Sequence, residues 1–368
     1  MKKTVLYIID SLEKGGAEIM VVSPLAEIHR HYKIILVTLR HGNVFNENEL
    51  ICDKRYCLDM ANRFELLNAV KKLKKIIHEN NITLVHSFLY WSSIVARMAC
   101  GNKIPYTFSL ATMMNSGVYQ LKKWSGYTLL LDRFTYRNNH FVISPTNEVL
   151  HDFNNSVGLK GKSIVLYNFV KREFFDHQID YTFSKDKLKL VAVGNLKSVK
   201  NYQLIIEAFK LLGDKPVSLD IYGEGPERSS LQRQINKYNL PIELKGSHEN
   251  IFEILPLYDA YVMSSFIEGF GVSAAEAMAV GLPLLLSDIK VLREISMGTA
   301  LFFDPFKPES FVSLLNKILA GDTDLKNLSE KVKEIAKNNY TQEKYLRGLF
   351  EVYQQIVPGS VLEGNNIK

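Results

Sequence analysis

Short apolar runs alternate with amphipathic stretches along the first half of the chain. Runs rich in β-branched residues, such as Thr4–Ile9 and Lys33–Leu39, are typical of buried strands. Between such runs, Ala17–His29 and Phe64–Glu79 carry apolar residues at the 3.6-residue spacing of a helix. Strands that are separated by helices predict parallel βαβ units.

A second alternation of the same kind begins near residue 188. Strands are predicted at Leu188–Val193 and Ala260–Ser264, and a helix is predicted from Ser273 to Val280 with Ser273 as its cap. The polar stretch before this alternation is typical of a linker. We therefore predict an α/β protein with two doubly wound Rossmann-like domains, residues 1–172 and 188–345. Residues 173–187 form the linker, and residues 346–368 form a C-terminal helix and tail.

The positive charge of the chain is concentrated in its first half. The 368 residues carry a net charge of +6, and residues 1–180 hold 23 lysines and arginines against 16 acidic residues, a difference of +7. Lys71, Lys72, Lys74 and Lys75 form a cluster in a predicted helix. A basic face of this kind attracts anionic lipid. The interleaved aromatic and basic pattern of an RNA-binding sheet is missing from the sequence, so we expect no nucleic-acid partner.

The sequence predicts neither export nor a membrane span. No apolar run reaches the roughly 18–20 residues needed to cross a bilayer. The apolar run Thr4–Ile9 is short and is followed by Asp10, so we interpret it as a first strand and not as a signal peptide. The three cysteines lack the spacing of a zinc site. We expect a cytoplasmic protein, with peripheral attachment to the inner face of the cell membrane as an option.

Three loops that follow predicted strands of the second domain carry candidate chemistry. Lys200 lies at the start of a helix, where backbone N–H groups favour anions. The glycines of Tyr222–Pro226 have no side chain, so a ligand can approach the backbone closely there. The alternative is that they only form a tight turn between strand and helix. Glu268 and Glu276 flank a Gly-Phe-Gly sequence, and Glu276 is expected in the first turn of the predicted helix. Carboxylates accept hydrogen bonds from hydroxyl-rich ligands, and bare backbone N–H groups bind diphosphates.

Several other chemistries are disfavoured by the motifs. The turn after the first strand contains Gly15 and Gly16 but does not match GxGxxG, and neither a Walker A sequence nor HExxH nor GxSxG occurs. Asp322-Thr323-Asp324 is interpreted as a helix cap. We predict no metal site.

Taken together, the motifs resemble those of the retaining glycosyltransferases of family 4, the group 1 type. They are GGAE at 15–18, GNLKSVKN at 194–201, YGEGP at 222–226 and EGFGVSAAE at 268–276. The last contains two glutamates separated by seven residues and is the most specific. The resemblance spans nearly the whole chain. It implies the GT-B fold, in which two Rossmann-like domains face each other across a cleft and a C-terminal helix crosses back to the first domain.

The resemblance also implies roles for individual residues. Lys200 contacts the diphosphate of a nucleotide sugar, Glu268 the hydroxyls of the donor sugar, and Glu276 the ribose. Glu268 and Lys200 would be the catalytic pair. The implied donor-binding set is Gly16, Asn195, Lys200, Gly223, Glu268, Gly269, Phe270, Gly271, Val272 and Glu276. Residues 269–272 present backbone N–H groups.

Two positions depart from the family pattern. Asn195 stands where the family often has an arginine, so Lys200, helped by Lys197, carries more of the diphosphate neutralisation. The family's histidine after the strand is missing from Thr107–Asn115. His86, at the end of another strand, is the candidate on the acceptor side; a buried histidine is the alternative interpretation.

We therefore expect an enzyme that transfers a sugar, with retention at the anomeric carbon, from a nucleotide sugar to a hydroxyl of a glycan or lipid-linked acceptor. Cell-surface polysaccharide synthesis (capsule, O-antigen or lipopolysaccharide) is the expected setting. A UDP- or GDP-sugar is the expected co-substrate, and no cofactor is required. The alternatives are a nucleotide-sugar epimerase or phosphorylase of the same fold, and a non-catalytic nucleotide-sugar-binding relative.

Overall fold

The chain divides into two compact units, residues 1–169 with 342–368 and residues 170–341. The structure is a computed structural model, and it describes residues 2–13, 15–113, 126–177, 179 and 187–358. The C-terminal tail beyond residue 358 lies outside the described residues. Among the helices described, none is both long and apolar enough to cross a bilayer.

The first unit is built from alternating strands and helices. In chain order they are β1 (Thr4–Ile9), α1 (Gly16–Val22), α2 (Leu25–His31), β2 (Lys33–Thr38), β3 (Lys54–Cys57), α3 (Leu66–Glu79), β4 (Leu84–Phe88), α4 (Tyr90–Cys100), β5 (Tyr106–Ser109), α5 (Gly126–Thr135), β6 (His140–Ser144), α6 (Asn147–Ser156) and β7 (Ser163–Val165). Its seven strands pair in parallel in the order β3-β2-β1-β4-β5-β6-β7.

The second unit repeats this plan. It contains α7 (Arg172–Asp176), β8 (Leu188–Val193), α8 (Tyr202–Leu212), β9 (Val217–Tyr222), α9 (Arg228–Lys237), β10 (Ile242–Gly246), α10 (Ile251–Ile254), β11 (Ala260–Met263), α11 (Val272–Val280), β12 (Leu284–Ser287), α12 (Lys290–Ile295), β13 (Leu301–Phe303), α13 (Pro308–Ala320) and α14 (Leu325–Asn339). Its six parallel strands have the order β10-β9-β8-β11-β12-β13. The predicted α/β class with two doubly wound sheets is confirmed.

Helices cover both faces of the first sheet because alternate side chains of a strand point to opposite faces. Leu6 and Ile8 of β1 join a core cluster that includes the buried side of α3. Tyr7 of the same strand joins a second cluster with α1, α2 and the last helix, α15 (Gln342–Ile356). The buried side chains of α15 recur at helical spacing, as in Leu346, Leu349 and Tyr353. The last helix of the chain therefore belongs to the core of the first unit.

The structure differs from the predicted elements at three places. The helix predicted over Ala17–His29 is divided into α1 and α2, because Pro24 has no N–H to continue the helical bonds. The edge strand β3 was not predicted; it begins with exposed Lys54 and Arg55 and lacks an apolar alternation. The predicted linker, residues 173–187, begins inside α7, and its residues 178 and 180–186 lie outside the described residues.

Candidate functional site

The second sheet has a topological switch point between β8 and β11. From β8 the chain proceeds to β9 and β10 on one side, and later strands are added on the other side beginning with β11. In open parallel sheets, ligands bind at the carboxyl ends of the strands beside such a point. The loops that follow β8 and β11 carry Lys200 and Glu268.

The loop after β8 presents Lys200 at the end of a short 3-10 helix, Ser198–Lys200. Asn201 follows in the left-handed conformation, with φ of 55°, and its buried side-chain amide donates to the carbonyl of Pro305 at 2.9 Å. This amide holds the point where the loop turns into α8. Asn195, earlier in the loop, is exposed.

The loop after β11 is bonded directly to the loop after β8. The Ser264 hydroxyl donates to the carbonyl of Lys200 at 2.8 Å, and the N–H of Phe266 donates to the carbonyl of Val199 at 2.9 Å. Ser264 was not predicted as a site residue, because the predicted strand included it; in the structure β11 ends at Met263, and Ser264 is the first residue of the loop. These two bonds fix the relative position of the two loops.

Lys200 and Glu268 form an ion pair at this position. The Lys200 Nζ lies 2.6 Å from Glu268 Oε1, and the two side chains are only 21% and 11% exposed. A pair that is largely removed from water is held more firmly than a surface pair. The structure thus brings together the two residues that the resemblance names as catalytic.

The N-terminus of α11 lies three residues after Glu268. Gly271 is the N-terminal cap, and its φ of 86° favours glycine; a Cβ there would also lie 3.1 Å from Leu292 Cδ2. The first intrahelical bonds run from Ala274 and Ala275 to the Gly271 carbonyl. The N–H groups of Val272 and Ser273 precede these bonds, and they carry the positive end of the helix dipole.

The neighbouring predicted donors, Gly269 and Phe270, are buried. The ring of Phe270 packs perpendicular to that of Tyr340, with a centroid distance of 5.3 Å. This contact anchors the loop just before the helix begins.

Two sequence predictions about α11 are wrong. Ser273 is not the cap, because the left-handed Gly271 starts the helix at Val272. The Ser273 hydroxyl instead donates to the Val193 carbonyl at 3.0 Å and accepts from the Tyr261 hydroxyl at 2.7 Å. Glu276 is consequently the fifth residue of the helix and does not lie in its first turn.

Glu276 is half-buried on α11, and no described residue forms a hydrogen bond with its carboxyl group. Burial raises the pKa of this carboxyl group to about 8, and the charge of Lys171 offsets part of the rise. Lys171 directly precedes α7, which packs against α11. Nothing in the sequence pointed to Lys171, since its proximity arises from the packing of α7. The carboxyl group is desolvated and lacks a strong internal partner, as expected of a group that awaits a ligand.

Gly223 packs closely against a neighbouring loop, and its contact with the donor stays a prediction. Its N–H donates to the Gly246 carbonyl at 2.8 Å, and a Cβ at this position would lie 2.0 Å from the Gly194 oxygen. A Cβ at Gly225 would lie 2.5 Å from the Leu196 oxygen. The glycines of this loop therefore allow it to pack against the loop that carries Lys200, and they support the site from behind.

The first unit has its own switch point, between β1 and β4. Asp10, after β1, accepts hydrogen bonds from the N–H and the hydroxyl of Ser92, at 2.9 and 2.8 Å. Gly16 is the exposed first residue of α1, on the same side of the sheet. The bonds to Ser92 connect the carboxyl end of β1 to the first turn of α4, the helix that follows β4.

The structure does not support acceptor contact by His86. The side chain is fully buried, Nδ1 lies 2.7 Å from the Tyr353 hydroxyl, and Nε2 lies 2.9 Å from the Ser109 hydroxyl. Burial lowers the pKa of the imidazole to about 3, so it is neutral at physiological pH. Both ring nitrogens are thus occupied: Nδ1 connects β4 to α15, and Nε2 connects β4 to β5. Met114 and Asn115, at the end of the segment that lacks the family's histidine, lie outside the described residues.

One group of side chains in the described part of the chain has the composition of a metal site. Ligand atoms of His41, Cys57 and Asp59 lie within 4.8 Å of one another. However, the Lys72 ammonium lies 2.9 Å from Asp59 Oδ2 and already supplies a positive charge there. Asp324, in contrast, caps α14 as predicted, by accepting from the N–H of Asn327.

Family models match both halves of the chain. Residues 14–174 match the model described as Glycosyltransferase Family 4, and residues 174–339 match that of Glycosyl transferases group 1. The chain belongs to the family 4 glycosyltransferases. The predicted family and the predicted enzyme class, a glycosyl-transferring enzyme, are confirmed.

Individual relatives agree with this assignment. The uncharacterized glycosyltransferase MJ1178 of Methanocaldococcus jannaschii is 26% identical over 296 residues, which cover 79% of this chain and 80% of the relative. HepE of Anabaena, solved in complex with UDP and glucose, has a TM-score of 0.81 at 16% identity, covering 96% of this chain and 100% of HepE. WaaG, a glycosyltransferase involved in lipopolysaccharide biosynthesis, has a TM-score of 0.73 at 15% identity, covering 96% and 100%. The solved structures confirm the GT-B fold class.

Replacing Gly223 tests the packing of the loops in this glycosyltransferase. We expect Gly223→Ala to lower the free energy of unfolding by at least about 3 kcal/mol, because the new methyl group would overlap the Gly194 carbonyl. Gly298→Ala is the matched control: φ is also positive there, at 74°, but no atom lies within 4 Å, so the cost should be about 1–2 kcal/mol. Urea denaturation measures the free energy of unfolding of both variants. Equal decreases in the two would contradict the packing role of Gly223.

Glu276→Gln tests the cost of desolvating the carboxyl group. The pKa of Glu276 in the folded protein lies above the ordinary value of 4.5, so between about pH 4.5 and 8 the unfolded chain releases a proton that the folded chain retains. Rising pH therefore favours unfolding of the natural protein through this group. Glutamine cannot ionise, so we expect a gain of roughly 1–2 kcal/mol at pH 8, below the full shift because solvent reaches the side chain.

The gain from Glu276→Gln should shrink as the pH falls toward 4.5. Glu334→Gln, on an exposed position of α14, serves as the control and should have little effect. Denaturation curves at several pH values provide the measurement, and a gain that does not depend on pH would contradict the desolvation argument.

Proposed function

We propose that this enzyme is a retaining glycosyltransferase that moves a sugar from a nucleotide sugar to a hydroxyl of a glycan or lipid-linked acceptor. The observation that carries the proposal is the Lys200–Glu268 pair beside the N-terminus of α11, at the switch point of the second sheet. In this proposal the second unit binds the donor and the first unit binds the acceptor.

The residues of the second unit suit the parts of a nucleotide sugar. Lys200 and the N–H groups of Val272 and Ser273 supply positive charge for a diphosphate. Glu268 offers carboxylate oxygens to sugar hydroxyls, and Glu276 offers them to a ribose. The UDP complex of HepE supports a UDP-sugar as donor, with a GDP-sugar as the alternative. In this proposal no metal or other cofactor is required, because lysine and helix dipole together neutralise the diphosphate.

The proposed chemistry exchanges one bond for another at the anomeric carbon. The acceptor oxygen forms a bond to that carbon on the face from which the diphosphate leaves, and the bond from carbon to phosphate oxygen breaks. The proton of the acceptor hydroxyl passes to the departing phosphate oxygen. Charge grows on the leaving group during the step, so cations and dipoles fixed around it stabilise the transition state more than the ground state.

We further propose that the enzyme acts in cell-surface polysaccharide synthesis, as a cytoplasmic protein attached peripherally to the inner face of the membrane. The fold shared with WaaG and the positive charge of the first half of the chain support this setting. A lipid-linked acceptor lies at an anionic surface, which attracts a basic protein.

Removal of the Lys200 charge tests the catalytic role. We expect Lys200→Gln to reduce the rate of transfer at least about 100-fold, because one charged or polar contact to a developing oxyanion is worth that much. Lys215→Gln, which neutralises an exposed lysine of the same unit, should leave the rate unchanged. Turnover of a nucleotide-sugar panel with membrane extract as the acceptor source is the measurement. Equal rates for the two variants would contradict the proposal.

The same assay separates the alternative functions. Conversion of the donor sugar without any acceptor would indicate an epimerase. Binding without turnover of any donor in the panel would indicate a non-catalytic relative.

Donor affinity should depend on the protonation of Glu276. We expect the affinity for the preferred UDP- or GDP-sugar to rise between pH 6 and 8, since an ionised carboxylate accepts from both ribose hydroxyls and the pKa in the free protein is about 8. Thermal shift measures this: a ligand at 100 times its dissociation constant stabilises by about 2.7 kcal/mol. In Glu276→Gln the affinity should be lower and constant over this range. A parallel rise in the variant would overturn the role of Glu276.

A further inference from the structure

Two large apolar side chains stand exposed at the start of α3. Phe64 lies in the 3-10 turn Arg63–Glu65 and is 85% exposed, and Leu67, in the first turn of the helix, is 71% exposed. The Arg63 guanidinium lies over the Phe64 ring, 5.2 Å from its centroid. Side chains this large are costly to leave in water when they lie together.

Exposed lysines continue the same side of α3. Lys71, Lys74 and Lys75 follow Phe64 and Leu67 at helical spacings of three, four and seven residues. The opposite side is buried in the core of the first unit and consists of Leu66, Ala69, Val70, Leu73, Ile76 and Ile77. Residues Arg63, Phe64, Leu67, Lys71, Lys74 and Lys75 therefore form one outward surface, which we call the α3 face.

The charge of the α3 face is largely uncompensated. Neither Lys71 nor Lys74 pairs with an acidic group among the residues that the structure describes, and Lys75 has only Glu79, at 3.7 Å and exposed. Lys72 points elsewhere and bonds to Asp59 and to the Leu58 carbonyl. Exposed pairs such as that of Lys75 contribute little, so the face presents a net positive charge.

We propose that the α3 face docks onto an anionic lipid surface. An aromatic and an aliphatic side chain enter the interface between headgroups and acyl chains, while the lysines contact the anionic headgroups. The α3 face combines positive charge with adjacent exposed apolar side chains on a single helix. An anionic lipid surface offers a partner to both.

The position of α3 beside the first sheet suits an enzyme with a lipid-linked acceptor. This step of the argument rests on the proposed function. The chain leaves the carboxyl end of β3 and enters α3, so Phe64 and Leu67 lie on the carboxyl side of the first sheet. Ligands bind on that side of a parallel sheet. Docking there brings the acceptor-binding edge of the first unit toward the membrane.

Vesicle sedimentation of the full chain tests the proposal. The probes are vesicles of phosphatidylcholine alone and of phosphatidylcholine with about one third phosphatidylglycerol. We expect binding to the anionic vesicles only, weakening as salt rises. Because each lysine near such a surface is worth about a factor of five, Lys71→Gln/Lys74→Gln/Lys75→Gln should lower the partition constant on the order of 100-fold. Phe64→Ser/Leu67→Ser should lower it at least about tenfold.

Matched variants on other surfaces provide the controls. Lys326→Gln/Lys331→Gln/Lys337→Gln on α14 removes the same charge, and Leu211→Ser/Leu257→Ser removes exposed apolar side chains of the second unit. Equal losses in these variants and in the α3 variants would overturn the assignment of the face. Binding to an acidic protein or soluble polyanion, with no binding to anionic vesicles, would also overturn it.

The nucleotide-sugar thermal shift separates this inference from the proposed function. It should be unchanged in every α3 variant, which also shows that the variants fold. Sugar transfer without vesicle binding would overturn the docking face and leave the proposed function intact. Vesicle binding without any response to nucleotide sugars would overturn the proposed function and leave the docking face intact.

Discussion

Two hydrogen bonds between neighbouring loops hold the candidate site together. The Ser264 hydroxyl and the Phe266 N–H reach carbonyls of the loop that carries Lys200. The parallel pairing of β8 with β11 fixes the bases of these loops, and the two bonds fix them beyond the strand ends. Lys200 and Glu268 therefore meet with little further loss of conformational freedom. A cation positioned in advance, here Lys200, is what electrostatic stabilisation of an anionic leaving group requires.

Burial of the Glu276 carboxyl group lowers the stability of the second unit. Helix α11 is rich in alanine, so α7 and α14 approach it closely, and this packing removes water from the carboxyl group. An uncharged residue at this position would suit the folded state better at neutral pH. Functional sites often contain groups that lower the stability of the protein and whose hydrogen-bonding capacity is unsatisfied without a ligand. The cost at Glu276 is thus consistent with a ligand that supplies the missing donors.

Periodicity and strand-end motifs predicted the fold class and the two loops that carry Lys200 and Glu268, because these depend on local sequence. For Gly223 and His86, the sequence could not reveal contacts between distant segments. The purpose of Gly223 becomes visible only once the carbonyl of Gly194 lies against it. His86 looked like a strand-end ligand until α15, from the far end of the chain, covered it with Tyr353. A pattern within one segment cannot reveal a partner that the tertiary fold supplies.

The two sets of lysines in this enzyme differ in how selective they can be. Lys71 and Lys74 face solvent without an acidic partner among the described residues, so any anionic surface attracts them. Lys200 is already paired, and an anion that takes it from Glu268 leaves a mostly buried carboxylate unsatisfied. The only donors of inorganic phosphate are hydroxyls on the anion that Lys200 binds, whereas a nucleotide sugar brings separate hydroxyl donors together with its diphosphate. The ion pair therefore selects, by its own energetics, for a ligand that carries both groups.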